Sequence, residues 1–337
     1  MRLFPRKTRF KFVRFAYFAS FGSILAVLIS FGSMFSGGLR ENPIALYQSA
    51  AGSPLDRMGA VLSHGFNLGI DFKGGTLIEF HAPMPIDLGA VRAAVARAEM
   101  GEVQVQGFGD PNHAMVRFEN REGADTNAAS EAVQAQVRRV VDSVVFDTIS
   151  VVGPKVSSEL FTSGLIALGL AMLLVMVYIW FRFDLQFGFG AVLSLFHDAI
   201  LTLGLFSLAR IEFTLPVIAG ILTIIGYSMN DTVVVFDRMR ENFRKYKSMA
   251  ASDVIDLSIN ETLSRTLMTL ATTLIASVAL YIFGGESLRP FAICMVFGVI
   301  VATYSSIYIA APATPLIGDK SGRPQPKHGM MARTTTD

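Results

Sequence analysis

The chain has one cysteine, Cys294, among 337 residues. That excludes a disulfide scaffold and any multi-cysteine metal or cluster site. Charge is scarce as well. Only 17% of residues are Asp, Glu, Lys or Arg, against about 25% in an ordinary soluble domain. Hydrophobic residues make up 52%, and mean hydropathy is +0.48. Disorder, which needs low hydrophobicity, is excluded, and so little charge argues against a freely soluble enzyme. Phosphate- and zinc-binding spacings are missing too. The segment Gly69-Ile-Asp71-Phe-Lys-Gly74-Gly75-Thr76 lacks the Gly-x-x-x-x-Gly-Lys-Ser/Thr order of a phosphate loop. By physics alone it is a bend or bulge leading into a strand. His64, His81 and His113 lie far apart without ligand spacing, so they read as surface or packing histidines and no metal is expected.

What is abundant is apolar sequence in long runs. A membrane-spanning helix needs about 20 mostly apolar residues, and the chain offers six such runs, at 15–35, 163–181, 185–209, 211–236, 266–283 and 291–317. The first follows a basic segment as a signal peptide would. It is too long for one, and it ends in Phe-Ser-Gly-Gly with no Ala-x-Ala site. It reads as an uncleaved anchor.

The net charge of +2 hides where the cations sit. Arg2, Arg6, Lys7, Arg9, Lys11 and Arg14 precede the first span. Arg238, Arg240, Arg244, Lys245 and Lys247 follow the fourth, and Lys320, Arg323, Lys327 and Arg333 lie in the tail. With six spans all of these share one side, and the opposite short loops hold only Arg210 and Arg289. The excess of Lys and Arg marks the cytoplasmic side. Both termini are expected there, with the polar segment 36–160 on the other side.

That polar segment has a readable rhythm. Strands are expected at 76–81, 102–107, 114–119 and 144–152, with helices at 87–100 and 127–142 and a turn at Gly109-Asp110-Pro111-Asn112. The order β-α-β-β-α-β is the ferredoxin-like pattern. The expected fold is a multi-pass α-helical membrane protein with six transmembrane helices and one α+β ferredoxin-like domain.

The informative residues are those a bilayer should not contain. An ionisable side chain at mid-membrane costs at least about 2.5 kcal/mol, so such groups face a bundle interior and find partners. Asp231 has apolar helix on both sides, within Gly226-Tyr-Ser-Met-Asn230-Asp231-Thr232-Val-Val-Val-Phe-Asp237-Arg238. Tyr227 lies four residues earlier on the same face, while Asp237 and Arg238 sit at a solvated end. The fifth span opens with Asn260-Glu261-Thr262-Leu-Ser-Arg265-Thr266, placing Arg265 at a depth compatible with Asp231. Thr262, Arg265, Thr269 and Thr272 form one polar stripe. His197-Asp198 lies in the third span. Adjacent residues point about 100° apart, so the two are not expected to aim at one point, and one is expected to meet a neighbouring helix.

Three readings stay open on these residues alone. The groups form static bundle glue, or an ion or proton relay, or a metal site, for which His197 and Asp198 supply too few ligands. The relay has a simple rationale. Burial disfavours a carboxylate's charged form and a nearby guanidinium favours it. An acid that gains and loses such a neighbour binds a proton in one state and releases it in the other. One proton crossing the membrane supplies about 2.3 kcal/mol per 100 mV.

In this order the motifs are similar to those of the SecD/SecF family of Sec protein-export membrane subunits, within the resistance-nodulation-division superfamily, and resemble its SecF members. The likeness rests on the Gly69–Thr76 segment, Val152-Gly-Pro-Lys-Val156, His197-Asp198, the Gly226–Arg238 segment, Asn260-Glu-Thr-Leu-Ser-Arg-Thr266 and Phe283-Gly-Gly285. It implies no enzyme but a proton-coupled subunit of the bacterial inner membrane, with no cofactor and no nucleic acid. Its implied partners are SecD, the SecYEG channel, the translocating preprotein, the bilayer and a small subunit such as YajC. Asp231 and Arg265 occupy the implied proton path, with Asn230, His197, Asp198, Thr262 and Thr269 as supporting groups and Asp71, Gly74 and Gly75 as the family motif. The principal proton-carrying aspartate belongs to SecD. The implied organisation is a cytoplasmic N-terminus and first span (1–35), a periplasmic domain (36–160), a five-helix bundle (161–317) and a cytoplasmic tail (318–337). The 49–65 stretch reads as a variable insertion. Two other classes remain. A small-molecule or lipid exporter needs a larger external cleft, and an intramembrane hydrolase at His197-Asp198 lacks a paired nucleophile.

Overall fold

The computed structural model describes residues 8–37, 42–49, 61, 64–96, 103–107, 110–118 and 126–317. The expectations for Arg2, Arg6, Lys7, the tail cations, Gly109, the outer edges of two strands and one helix, and most of the 49–65 stretch lie outside the described residues.

Along the chain the main elements are α1 (Phe12–Phe35), β1 (Gly75–His81), α2 (Leu88–Ala96), β2 (Val103–Gly107), β3 (His113–Phe118), α3 (Thr126–Val140) and β4 (Val145–Val152). Then come α4 (Pro154–Arg182), α5 (Leu185–Ala209), α6 (Leu215–Lys245), α7 (Ala251–Phe283) and α8 (Arg289–Ser305), the last running on into a π-helical turn, Ser306–Ala310. Among the described residues, six helical segments are long and apolar enough to cross a membrane.

Three of them outrun their expected bounds. α4 begins at Pro154 rather than 163, α6 continues past 236 to Lys245, and α7 begins at Ala251 rather than 266. Apolarity marked where the hydrocarbon would be, but helical hydrogen bonding continues through polar sequence. The 33 residues of α7 make about 50 Å of helix, well beyond a hydrocarbon core of about 30 Å. Pro154 suits the first turn of α4, where a backbone N–H has no helical partner.

The chain divides into two compact units. One holds the described residues up to Asn67 together with 167–211 and 216–317. Its centre is α5, α6 and α8, each with more than half of its apolar window buried, whereas α1, α4 and α7 bury 11% or less. Small residues let the central helices approach. A Cβ on Gly298 would fall 2.0 Å from Ile224, and one on Gly190 would fall 2.4 Å from the Ala310 carbonyl oxygen. α1 packs on α5 through the same device, since a Cβ on Gly204 would fall 2.2 Å from Ser30. Such contacts suit membrane helices, where close van der Waals packing takes the place of the hydrophobic effect.

The second unit holds Leu68–Ile166 and Glu212–Leu215. Its sheet has the order β2-β3-β1-β4, antiparallel throughout, which is the ferredoxin-like arrangement. Alternation along β1 puts Ile78 and Phe80 on one face, joined there by Val105, Ala114, Val116 and Phe118. Val91 and Val95 from α2 and Val133 and Val137 from α3 close this core. Glycines enter at the start of β1. Gly74 (φ 76°) ends a helical turn at Ile70–Lys73, and Gly75 (φ 125°) opens the strand. Both angles disfavour a side chain. Glu212–Leu215 joins the unit through an Arg117–Glu212 ion pair and through the Gly69 N–H, which donates to the Phe213 carbonyl at 2.9 Å.

Gly204→Leu should break the α1–α5 contact, because its side chain needs the volume of Ser30. Overpacking of this kind costs about 1–3 kcal/mol. The expected result is a lower thermal unfolding midpoint in detergent, with Gly204→Ala intermediate; an unchanged midpoint for both would refute the packing described.

Candidate functional site

α5 and α6 carry the same polar pattern. Ser194, His197 and Asp198 stand at positions 0, 3 and 4 on α5, and Ser228, Asp231 and Thr232 repeat that spacing on α6. Residues so spaced share one helix face, and all six are buried. Their bonds knit the centre of the bundle. Ser228 donates to Asp198 Oδ2 at 2.6 Å, and Ser194 donates to Ser305 Oγ at 2.9 Å. The Thr232 and Ser306 hydroxyls are 2.9 Å apart. Ser305 and Ser306 stand where α8 gives way to its π-helical turn, a distortion frequent at functional sites.

Asp198 meets the neighbouring helix, as expected for one member of the pair. His197 Nδ1 also lies 3.1 Å from Asp198 Oδ1. The His197 ring stacks beside Tyr304, and the Tyr304 hydroxyl donates to the Ala19 carbonyl of α1 at 2.8 Å. His197 Nε2 and the Tyr227 hydroxyl are buried without a hydrogen-bond partner among the described residues.

Asp231 faces α7. Its Oδ1 accepts from the Thr266 hydroxyl at 2.6 Å, and its Oδ2 is buried without a partner among the described residues. Among the described residues Asp231 and Arg265, placed at compatible depth by the sequence, form no salt bridge in this state. Thr266 holds the inward position, so Arg265, one residue earlier, is turned by about 100° and is exposed on the bundle's flank. Thr262 donates to the carbonyls of Ser258 and Ile259, and Thr269 to that of Thr266. Asn230 is exposed.

The charged ends of α6 and α7 form a second network, which spacing had not exposed. Asp237 accepts from Arg182 of α4 at 2.9 and 3.0 Å. Arg238 donates to Glu241 and to Glu261 of α7, both at 2.6 Å. Asn242 donates to Glu261 at 2.7 Å and to Ser258 at 3.0 Å. Asn260 accepts from the Phe10 N–H at 3.0 Å and donates to its carbonyl at 2.8 Å, tying the residues before α1 to α7. In the sequence Asp237 and Arg238 read as solvated charge, and Arg238 as part of the topology signal. Their i, i+3 and cross-helix partners were in the sequence, but helix rotation decided which would meet.

In the second unit, Asp71 Oδ2 accepts from the Leu215 N–H at 2.8 Å. Leu215 is the first residue of α6, where backbone donors lack helical partners and a carboxylate is favoured by the helix dipole. Gly74 and Gly75 hold the turn that follows Asp71.

Thr266→Val keeps the shape and deletes the hydroxyl, leaving the Asp231 carboxyl without its partner in the bundle. The expected loss is about 1–3 kcal/mol, read as a lower unfolding midpoint in detergent. Thr266→Ser should recover most of it; equal destabilisation by both substitutions would remove the assigned bond.

Residues 132–320, which include Asp198, Asp231 and Arg265, match the family described as protein export membrane protein SecD/SecF, C-terminal. Residues 59–82, which include Asp71, Gly74 and Gly75, match the SecD/SecF GG motif. A protein translocase subunit SecF of Cereibacter sphaeroides is 43% identical over 274 residues, covering 79% of this chain and 85% of that protein. The SecF subunit of Rickettsia rickettsii is 40% identical over 313 residues and is covered, like this chain, to 93%. Among solved structures, a SecDF from Thermus described as a translocon-associated membrane protein is similar with a TM-score of 0.76 at 29% identity over 92% of this chain. The present chain spans 39% of that longer one. With the fold, the two motif regions and these relatives in agreement, the chain belongs to the SecD/SecF family of protein-export membrane proteins, among the SecF-type translocase subunits.

Proposed function

We propose that the protein works with a SecD-type partner as a proton-coupled subunit of the bacterial inner membrane, helping preproteins through the SecYEG channel and releasing them on the periplasmic side. Both termini then lie in the cytoplasm and the ferredoxin-like domain in the periplasm, as the distribution of Lys and Arg favours. The observation that carries the reading is the state of Asp231. It is a buried carboxyl with one oxygen held by Thr266 and the other unpartnered among the described residues. A carboxyl so placed in a membrane segment is suited to taking up and releasing a proton.

Arg265 adds a reason for the partner. It is exposed on α7, a helix with little of its apolar window buried. A guanidinium facing lipid is costly and stays charged. A second subunit covering this flank would supply carboxylates and water. The longer SecDF relative, of which this chain spans 39%, is consistent with a partner of that kind, and assemblies of related halves place their sites at the repeat interface.

Asp231→Asn and Arg265→Met should each assemble with SecD yet weaken potential-dependent export. The assay is preprotein translocation with inverted membrane vesicles, with and without a collapsed proton gradient. Each variant should behave in both conditions as the unaltered protein does without a gradient. Normal gradient-dependent export by either variant would rule out its role in coupling.

A further inference from the structure

The open face of the sheet, away from the helices, carries a group of side chains that the membrane site does not use. His81 ends β1 and His113 begins β3, and the register sets them directly opposite each other. Their rings lie 5.3 Å apart. Asp147 comes from β4, on the other side of β1. The pairing of β1 with β4 slips between Glu79 and Phe80, where Thr148 faces Glu79 and Phe146 faces Phe80. Asp147 is the extra residue in that β-bulge, a feature that re-aims a side chain. Its two carboxylate oxygens are 2.8 and 2.9 Å from His81 Nδ1. One ligand atom from each of the three residues lies within 4.8 Å of the others.

We propose that His81, His113 and Asp147 bind a divalent transition-metal ion of the zinc type, clamping β1, β3 and β4 together at one end of the sheet. Two imidazoles and one carboxylate are a zinc ligand set, with a fourth position left for water. That set favours zinc, copper or nickel over magnesium and calcium, which take oxygen. With metal–ligand bonds of about 2.0–2.1 Å, two tetrahedral ligand atoms stand about 3.4 Å apart, a separation that rotation of side chains at a solvent-accessible face reaches. A bare His81–Asp147 ion pair, with both side chains 37% exposed, would contribute little. The ligands must be neutral histidine and ionised carboxylate, so binding weakens as acid protonates the imidazoles.

The test uses the full-length chain, free of any polyhistidine tag, purified in detergent and titrated with zinc chloride by calorimetry at neutral pH. One zinc should bind with His81, His113 and Asp147 intact, and millimolar magnesium should not displace it. His113→Ala and Asp147→Asn should each weaken binding at least about tenfold, the scale on which even outer-shell partners of a metal act. His64→Ala should leave it unchanged. No zinc binding, or equal binding by His113→Ala and Asp147→Asn, would overturn the proposal and leave an ion pair only. A second measurement needs no variant: anomalous scattering from zinc-soaked crystals should give a peak between the three side chains. A peak only elsewhere, or none, would also overturn it.

Discussion

Hydrocarbon offers a polar group nothing to bond to. Asp198 and Asp231 therefore require the rest of the bundle to come to them. α5 and α6 respond with matched polar spacing, and hydroxyls on neighbouring helices complete the set, with Ser228 on Asp198 and Thr266 on Asp231. The small residues Gly190, Gly204 and Gly298 bring backbones close enough for these short side chains to reach. The π-helical turn after α8 fits the same scheme, since Ser305 and Ser306 there meet Ser194 and Thr232.

The two carboxylates are satisfied unequally. Asp198 is held at both oxygens, by His197 and Ser228, and so resembles a structural anchor. Asp231 is held at one, by Thr266. Beyond them, the charges at the polar ends of α6 and α7 are latched by Glu261, with Arg238 and Asn242 both donating to the same carboxylate. The family motifs thus mix roles. Asp237, Arg238 and Glu261 hold helices together, Asp71 satisfies the backbone where α6 starts, and Asp231 remains as the group with unused bonding capacity.

Much of this was legible along the chain. The six spans and the β-α-β-β-α-β order follow from hydrophobic length and strand alternation, which are local properties. Asp231, Arg265, His197 and Asp198 stood out because ionisable residues in apolar runs are rare. That Asp231 and Arg265 form no salt bridge among the described residues has a geometric cause. Depth along a helix follows from counting residues, but facing depends on rotation about its axis, and one residue changes that by about 100°. Thr266 took the inward place. The helices run past the apolar stretches for a related reason, since apolarity reports the bilayer and not the extent of backbone hydrogen bonding.

The sequence by itself determined the class of molecule, the number of spans, the domain's strand order and the residues whose chemistry needs explaining. Only the tertiary structure decided which of those residues touch. Thr266 rather than Arg265 meets Asp231, and Glu261 rather than solvent meets Arg238. His81, His113 and Asp147, with no ligand spacing along the chain, converge because strand register and a single bulge place them on one face. Local composition sets what an element is, whereas helix rotation and strand register are settled by packing among elements far apart in sequence.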